Sequence, residues 1–93
     1  MKHSVAITNK FRREYRRLDK PIQVLVDDAI ELISDNPELG TQKTADLIGI
    51  YVYKFRFKGR LYLLGYDVNE QIRIIYMLSI KSHQNLYRDL KDQ

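Results

Sequence analysis

The sequence predicts an α+β fold in which an N-terminal helix hairpin packs on an antiparallel sheet of three to four strands, with a short C-terminal helix. Two segments within the first 35 residues repeat apolar residues at helical spacing. Three segments between residues 50 and 80 carry strand-like patterns separated by turn residues. The 93 residues, 44% of them hydrophobic, are enough for one core, so residues 1–93 are predicted to form a single domain.

A short strand and a basic helix are predicted first. Val5 and Ile7 indicate the strand, and Thr8 suits the N-cap of a helix over Asn9–Asp19. The buried stripe of this helix consists of Phe11, Tyr15 and Leu18. The rest of the segment is basic, with Lys10, Arg12, Arg13, Arg16, Arg17 and Lys20. We interpret these cations as a solvated or phosphate-facing surface.

A second, strongly amphipathic helix follows. Pro21 fits its first turn, and Asn36-Pro37 ends it. Its apolar stripe consists of Ile22, Leu25, Val26, Ala29, Ile30 and Ile33. Because only one or two residues separate the helices, they should form an antiparallel hairpin. Residues 35–50 contain two glycines and are predicted to be a connection with one short turn.

Strands are predicted at about residues 50–58, 61–68 and 72–80. Lys58-Gly59-Arg60 is expected to form a tight hairpin turn, and Asp67–Gln71 a longer one. The last strand alternates Ile72, Ile74, Tyr76, Leu78 and Ile80 against Arg73, Ile75, Met77 and Ser79. Both of its faces carry apolar residues, so it is predicted to be central. Residues after Ser82 lead into a terminal helix that ends near Asp92.

The strand over residues 51–58 separates into two chemically different faces. Its aromatic face, which can cover a core, consists of Tyr51, Tyr53, Phe55 and Phe57. The other face carries a row of cations, Lys54, Arg56 and Lys58. Cations about 7 Å apart along one ridge suit a polyanion. The alternative is an ordinary amphipathic strand whose polar side is solvated.

Positive charge is unevenly distributed along the chain. The net charge is +5 over residues 1–20, −5 over residues 21–50 and +4 over residues 51–93, which together give the overall +4. Two basic regions separated by an acidic helix favour RNA, DNA or an acidic protein as the partner. The charge alone does not choose among these three.

The composition argues against several kinds of chemistry. The absence of cysteine excludes disulfides and thiol catalysis and fits a reducing cytoplasm. With only two histidines in addition, neither a metal nor a cofactor is expected. The four glycines form no phosphate-cradling loop. No apolar run approaches the roughly 20 residues of a membrane span, and no secretory signal is visible, so a cytoplasmic protein is expected.

The segment after the last strand contains the residues best suited to acid–base chemistry. Lys81, His83 and Tyr87 are expected to converge near the end of the sheet, beside the strand that carries Lys54 and Arg56. Such a set could cleave RNA without a metal. A base removes the proton from the ribose 2′-hydroxyl, cations stabilise the phosphate, and an acid protonates the leaving 5′-oxygen.

Each of these residues also has a structural interpretation. The alternative for His83 is a cap of the last helix, and the alternative for Tyr87, with Leu86 and Leu90, is an anchor of that helix in the core. The alternative for Lys81 is an ordinary cation at a strand end. The acids of the second helix, Asp27, Asp28 and Glu31, are interpreted as its solvated face.

Several motifs resemble the RelE/ParE superfamily of bacterial toxins from toxin–antitoxin pairs. The basic helix hairpin is followed by Asn36–Gly40 and Lys43–Gly49, as in this superfamily. The segment Tyr53–Phe57 is similar to the Tyr-Lys-x-Lys strand of RelE-type toxins, and His83–Lys91 resembles the ending of one RelE-like branch. The resemblance covers nearly the whole chain. It implies a compact microbial-RNase-like fold and a toxin that a partner antitoxin neutralises.

RelE-type members cut mRNA in the ribosomal A site. Carried over by position, the catalytic residues implied here are Lys54, Arg56, Lys81 and Tyr87. Related toxins use a histidine as acid or base near this C-terminal position, which corresponds to His83. The resemblance also implies substrate-binding cations, for which Lys58, Arg60 and Arg73 are the candidates. The sequence departs from the pattern at one position, because Leu63 occupies the place of a strand arginine. Arg60 or Arg73 could supply that charge.

Three functional hypotheses follow from the residues and the resemblance together. The first is a toxin that acts as a ribosome-dependent mRNA endoribonuclease, by metal-independent attack of the 2′-hydroxyl. The second is a ParE-like inhibitor of DNA gyrase without hydrolytic activity. The third is a degenerate, non-toxic nucleic-acid-binding member, which the missing arginine favours. In each toxin hypothesis an acidic, partly disordered cognate antitoxin is the expected partner.

Overall fold

The computed structural model of the protein describes residues 2–42 and 49–82, and in these residues two helices pack on a five-stranded sheet. The helices are α1 (Asn9–Arg16) and α2 (Lys20–Asp35), and a 3₁₀ helix covers Pro37–Leu39. The strands are β1 (Ser4–Ile7), β2 (Thr41–Gln42), β3 (Tyr51–Phe57), β4 (Arg60–Asn69) and β5 (Ile74–Ser82). Neither α1 nor α2, the α-helices of this described part, has the length and apolarity needed to cross a membrane.

The strand order is β1-β5-β4-β3-β2, and the sheet is mixed. β1 runs parallel to β5, whereas the other neighbouring pairs are antiparallel. The predicted antiparallel arrangement of β3, β4 and β5 is confirmed, whereas the sheet has five strands instead of three to four and its β1–β5 pair is parallel. β2 was missed because a two-residue strand has no alternation to detect. The predicted C-terminal helix lies outside the described residues.

The two helices form the predicted hairpin. Thr8 caps α1, and its hydroxyl accepts a hydrogen bond of 3.1 Å from the Phe11 N–H. Asp19 is the N-cap of α2, with Pro21 in its first turn as expected. α1 ends at Arg16, earlier than predicted, and the N–H of Arg17 bonds back to the carbonyl of Glu14.

The core lies between the helix hairpin and one face of the sheet. Its helical members are Phe11, Ile22, Val26, Ala29 and Ile33, and its sheet members are Tyr62, Leu64, Tyr66, Ile75, Met77 and Ile80. The aromatic face of β3 packs against this cluster, which confirms its predicted role. Burial of these side chains supplies the main stabilising contribution, since each large apolar side chain contributes about 1.5–3 kcal/mol.

A β-bulge in β5 changes the predicted alternation of the last strand. Gly65 pairs with Ser79, but the next residue of β4, Tyr66, pairs with Met77, so Leu78 is left over. As a result Ile80 lies on the same side as Met77 and joins the core. The alternation had placed these two residues on opposite faces, and that prediction was wrong because simple periodicity cannot register an inserted residue.

A two-residue turn joins β3 and β4. Phe57 pairs with Arg60, and the intervening Lys58 and Gly59 have φ angles of 51° and 78°. Positive φ at both positions is typical of the tight turns that suit hairpins. Lys58 therefore leaves the strand before the cationic row would reach it, and its ammonium lies 5.4 Å from the Phe57 ring centroid. The prediction that Lys58 extends the row was wrong.

The Tyr66 hydroxyl attaches the 3₁₀ segment to the sheet. It donates to the carbonyl of Pro37 at 2.7 Å and accepts from the Gly40 N–H at 2.9 Å. Gly40 approaches so closely that an added Cβ would lie 2.8 Å from the Tyr66 oxygen. Burial raises the pKa of the Tyr66 hydroxyl above its ordinary value of 10.0, although the hydrogen bond from Gly40 opposes the rise.

We expect Tyr66→Phe to lower the free energy of unfolding by about 1–2 kcal/mol, because two backbone groups lose their partner. Chemical denaturation measures this loss, and Tyr76→Phe is the control, since the Tyr76 hydroxyl makes no hydrogen bond within the described residues. As the pH rises past 10, the unfolded chain ionises this tyrosine first. Wild-type stability should therefore fall with pH in that range, and more steeply than that of Tyr66→Phe. Equal stability of the three proteins at neutral pH would contradict this account.

Candidate functional site

Three of the predicted site residues share the face of the sheet that is turned away from the core. Lys54 of β3 pairs with Leu63 of β4, which in turn pairs with Lys81 of β5. Directly paired residues lie on the same face, so Lys54 and Lys81 flank Leu63 at about 10 Å from each other. Arg56 lies two residues along β3 and pairs with Leu61. We call Lys54, Arg56 and Lys81 the cationic face.

An apolar floor lies between these cations. Leu63 has 0% and Val52 has 1% of its surface exposed, and Ile50 and Leu61 pack against them partly buried. Lys54 and Arg56 are exposed above this floor. The position at which the RelE-type pattern carries an arginine is thus a fully buried leucine.

The two arginines considered as replacements lie elsewhere. Arg60 pairs with Phe57, whose ring packs on the core, so Arg60 lies on the opposite face of the sheet from Leu63. Arg73 lies in the turn before β5, about 25 Å along the strand from Lys81. Neither arginine is placed beside Leu63, and the idea that one of them replaces the strand arginine is not supported.

Arg60 instead lines an open cavity of about 380 Å³ at the corner between the helix hairpin and the sheet. Arg17 and Lys81 are further cations in its wall, and Glu14 and Asp19 are its acids. Lys81 thus contributes both to the cationic face and to this corner. The cavity extends the positive surface around the edge of β5.

Glu14 of α1 was overlooked in the sequence and forms an ion pair with Lys81. Its side chain is only 9% exposed, and its Oε2 lies 3.1 Å from the Lys81 Nζ. A signal for it exists: it is the only acid between Asn9 and Arg16, and it stands three residues after Phe11 and four before Leu18. That spacing places it on the buried side of the helix, where a carboxylate needs partners.

His83 and Tyr87 lie outside the described residues, and their roles remain predictions. The other histidine, His3, contacts Glu70 at 2.7 Å and lies next to the β1 residue that pairs with Ile74. His3 is therefore near the start of β5, whereas Lys81 is near its C-terminal end. The described part of the site can bind and stabilise a phosphate through its cations.

The comparisons with known proteins agree on one family of folds. A family model described as a ParE-like toxin of a type II bacterial toxin–antitoxin system matches residues 5–91. No curated protein matches the sequence.

Among solved structures, the chain is similar to the RelBE2 toxin–antitoxin complex of Mycobacterium tuberculosis, with 19% identity, a TM-score of 0.80, and coverage of 89% of this chain and 100% of that one. A mutant of the E. coli toxin RelE in the free state has 17% identity and a TM-score of 0.80, with 99% and 97% covered. The archaeal RelE–RelB complex of Pyrococcus horikoshii has 20% identity and a TM-score of 0.64, with 90% and 98% covered. At such identities these likenesses establish the fold alone.

Proposed function

Because the chain belongs to the ParE-like toxin family of type II bacterial toxin–antitoxin systems, we propose that it is an endoribonuclease that cleaves mRNA on the ribosome and so inhibits translation. The observation that carries this proposal is the cationic face. The register of β3, β4 and β5 brings Lys54, Arg56 and Lys81 onto one surface, although Lys81 is far from the other two in sequence. Fixed cations on a sheet suit a phosphodiester backbone.

In the proposed mechanism the RNA phosphate lies over the cationic face. His83 removes the proton from the ribose 2′-hydroxyl, and the 2′-oxygen attacks the adjacent phosphorus. Lys54, Arg56 and Lys81 stabilise the added negative charge on the phosphate oxygens. The bond from phosphorus to the 5′-oxygen breaks, Tyr87 donates a proton to that oxygen, and the products are a 2′,3′-cyclic phosphate and a 5′-hydroxyl end. The scheme requires no metal ion.

The direct test is incubation of the purified protein with ribosomes that translate a defined mRNA. We expect cuts within codons of the translated region, and cuts that disappear when translation is blocked. A matched reaction with naked mRNA shows whether the ribosome is required. Intact mRNA in every reaction would overturn the proposal.

The second candidate function is inhibition of DNA gyrase, and one observation favours it. The RelE-type pattern carries a cation at the position of Leu63, but this leucine is fully buried, so the described part of the site lacks one donor for phosphate stabilisation. For this function the purified protein should block supercoiling of plasmid DNA by gyrase and leave translated mRNA intact. The two assays therefore separate the two candidates.

We further propose that the partner is an acidic antitoxin that covers the basic surfaces. The RelBE and RelE–RelB structures named above are toxin–antitoxin complexes, which supports a partner of this kind. On this chain the exposed side of α1 carries Arg12, Arg13 and Arg16, and the exposed Arg17 is its C-cap. An acidic segment would be attracted to this side and to the cationic face.

If electrostatic attraction guides binding, the rate of association with the antitoxin should depend on salt. We expect the rate of association with the cognate antitoxin to fall by about tenfold as the salt concentration rises from low to moderately high, because screening weakens steering. Stopped-flow or surface-based binding at several salt concentrations measures this rate. A rate that does not change with salt would show that docking is mainly apolar. The groove between α1 and α2, lined by Phe11, Tyr15 and Ile30, would then be the better binding site.

A further inference from the structure

The carboxylate of Glu14 connects α1 to three successive residues of β5. Its Oε1 accepts hydrogen bonds from the Ser79 hydroxyl at 2.7 Å and from the Ile80 N–H at 3.1 Å. Its Oε2 lies 3.1 Å from the Lys81 Nζ and 3.6 Å from the Lys10 Nζ. A buried carboxylate that accepts hydrogen bonds from the backbone and from a hydroxyl is held in one orientation.

The sheet topology explains why a side chain, and not a neighbouring strand, accepts hydrogen bonds from this part of β5. β1 pairs with β5 only from Ile74 to Met77, and the backbone then turns into α1 at Thr8. The Thr8 N–H and hydroxyl donate to the carbonyl of Met77, and beyond that point β5 has no strand neighbour on this side among the described residues. The Glu14 carboxylate accepts the hydrogen bond of the Ile80 N–H, which a backbone carbonyl would accept if β1 continued alongside β5. The carboxylate is thus built into the edge of the sheet directly beside Lys81.

We propose that Glu14 is a positioning residue that holds the Lys81 ammonium at the edge of the cationic face for contact with the RNA phosphate. This inference rests on the proposed function. A free lysine side chain loses rotamer freedom when it binds a phosphate. In this protein Glu14 has already restricted that freedom, and Ser79 and Ile80 keep the carboxylate itself from following the ligand.

Glu14→Gln separates positioning from structure. The glutamine carbonyl can still accept from Ser79 and Ile80, whereas the negative charge that attracts Lys81 is removed. Because the protein becomes more positive, RNA binding should stay equal or tighten through general electrostatics. Cleavage should nevertheless fall by about 5- to 10-fold, because Lys81 is no longer fixed where the transition state needs it. A merely structural role would change neither quantity in the folded protein.

Glu31→Gln is the matched control, since Glu31 is an exposed acid of α2 that pairs with Lys2. It makes the same chemical change and the same change in net charge, and should leave cleavage and RNA binding near the wild-type values. Both variants are compared after thermal melting and circular dichroism have established the folded fraction. Cleavage is then expressed per folded molecule.

The closing experiment is a double-mutant cycle of Glu14→Gln and Lys81→Met, with ribosome-dependent mRNA cleavage and RNA affinity as readouts. If Glu14 acts through Lys81, the double variant cleaves as slowly as Lys81→Met alone. A parallel measurement by mass spectrometry follows the modification of lysines by an amine-reactive reagent. Lys81 should react several-fold faster in Glu14→Gln, and the exposed Lys54 should react at an unchanged rate.

The outcomes are distinguishable. This inference would be overturned if Glu14→Gln cleaved mRNA within twofold of the wild-type rate. It would also be overturned if the loss of cleavage in the double variant equalled the product of the losses in the two single variants. Either result would leave the proposed function standing. Unchanged labelling of Lys81 would overturn this inference as well. If the wild-type protein does not cleave mRNA at all, the proposed function fails and this inference fails with it.

Discussion

Arg56→Gln is expected to reduce ribosome-dependent mRNA cleavage by about 100-fold while the protein stays folded. Arg56 is exposed on β3, and it forms no ion pair within the described residues. Its guanidinium is therefore free to donate to two oxygens of one phosphate. Removal of a donor that stabilises developing charge typically lowers the rate by about 10²- to 10³-fold. The lower end of that range suits an exposed side chain.

The measurement compares single-turnover cleavage by Arg56→Gln, Lys54→Gln and Arg12→Gln at equal folded concentration. Arg12 is an exposed arginine of α1, outside the cationic face, so its replacement controls for the change in net charge. We expect Lys54→Gln to resemble Arg56→Gln and Arg12→Gln to resemble the wild type. An equal, small loss in all three would mean that only the overall charge matters, and the cationic face would lose its proposed role.

Leu63→Arg is expected to lower the free energy of unfolding by about 3 kcal/mol or more, because it places a charge in a fully buried position. The paired neighbours of Leu63 on both sides are the cations Lys54 and Lys81, so the new guanidinium would also meet like charges. The substitution places an arginine at the position where the RelE-type pattern carries one. We do not expect it to restore RelE-type phosphate stabilisation, because the surrounding floor is apolar.

Chemical denaturation of Leu63→Arg and of the volume-conserving control Leu63→Met measures this effect. The methionine should cost less than about 1.5 kcal/mol. A stable Leu63→Arg variant with faster mRNA cleavage would contradict the burial argument. It would show that the floor opens readily and that the site can accept the missing arginine.

The parts of the fold that follow from local patterns could be predicted. The apolar stripe of α2, the Thr8 cap of α1 and the aromatic face of β3 each depend on residues within a few positions of one another. The family resemblance, which rests on short local motifs such as Tyr53–Phe57, was also confirmed.

The parts that depend on contacts far apart in sequence could not be predicted. The parallel pairing of β1 with β5 joins residues about 70 positions apart, and no local pattern specifies it. The bulge at Leu78 and the positive φ of Lys58 each moved a side chain from its expected face. Each shift follows from backbone geometry, which a simple alternation of side chains cannot represent.

The candidate site shows the same division. Lys54 and Arg56 were found because they share one strand, and their meeting with Lys81 was expected from the order of the strands. Glu14 was missed because its significance appears only when α1 packs beside the free edge of β5. In the sequence it is one acid among several arginines, and helical spacing alone does not reveal a partner on a distant strand.

The central claim is the proposal that this toxin cleaves translated mRNA with His83 as the base. The most direct measurement is induction of the chain in a bacterial host, followed by mapping of mRNA 5′ ends for the wild type and for His83→Ala. We expect new ends at fixed positions within codons in the wild type and their loss in the variant. Growth arrest with intact mRNA would contradict the claim and indicate gyrase or another target, and a lack of arrest would indicate a non-toxic member that only binds.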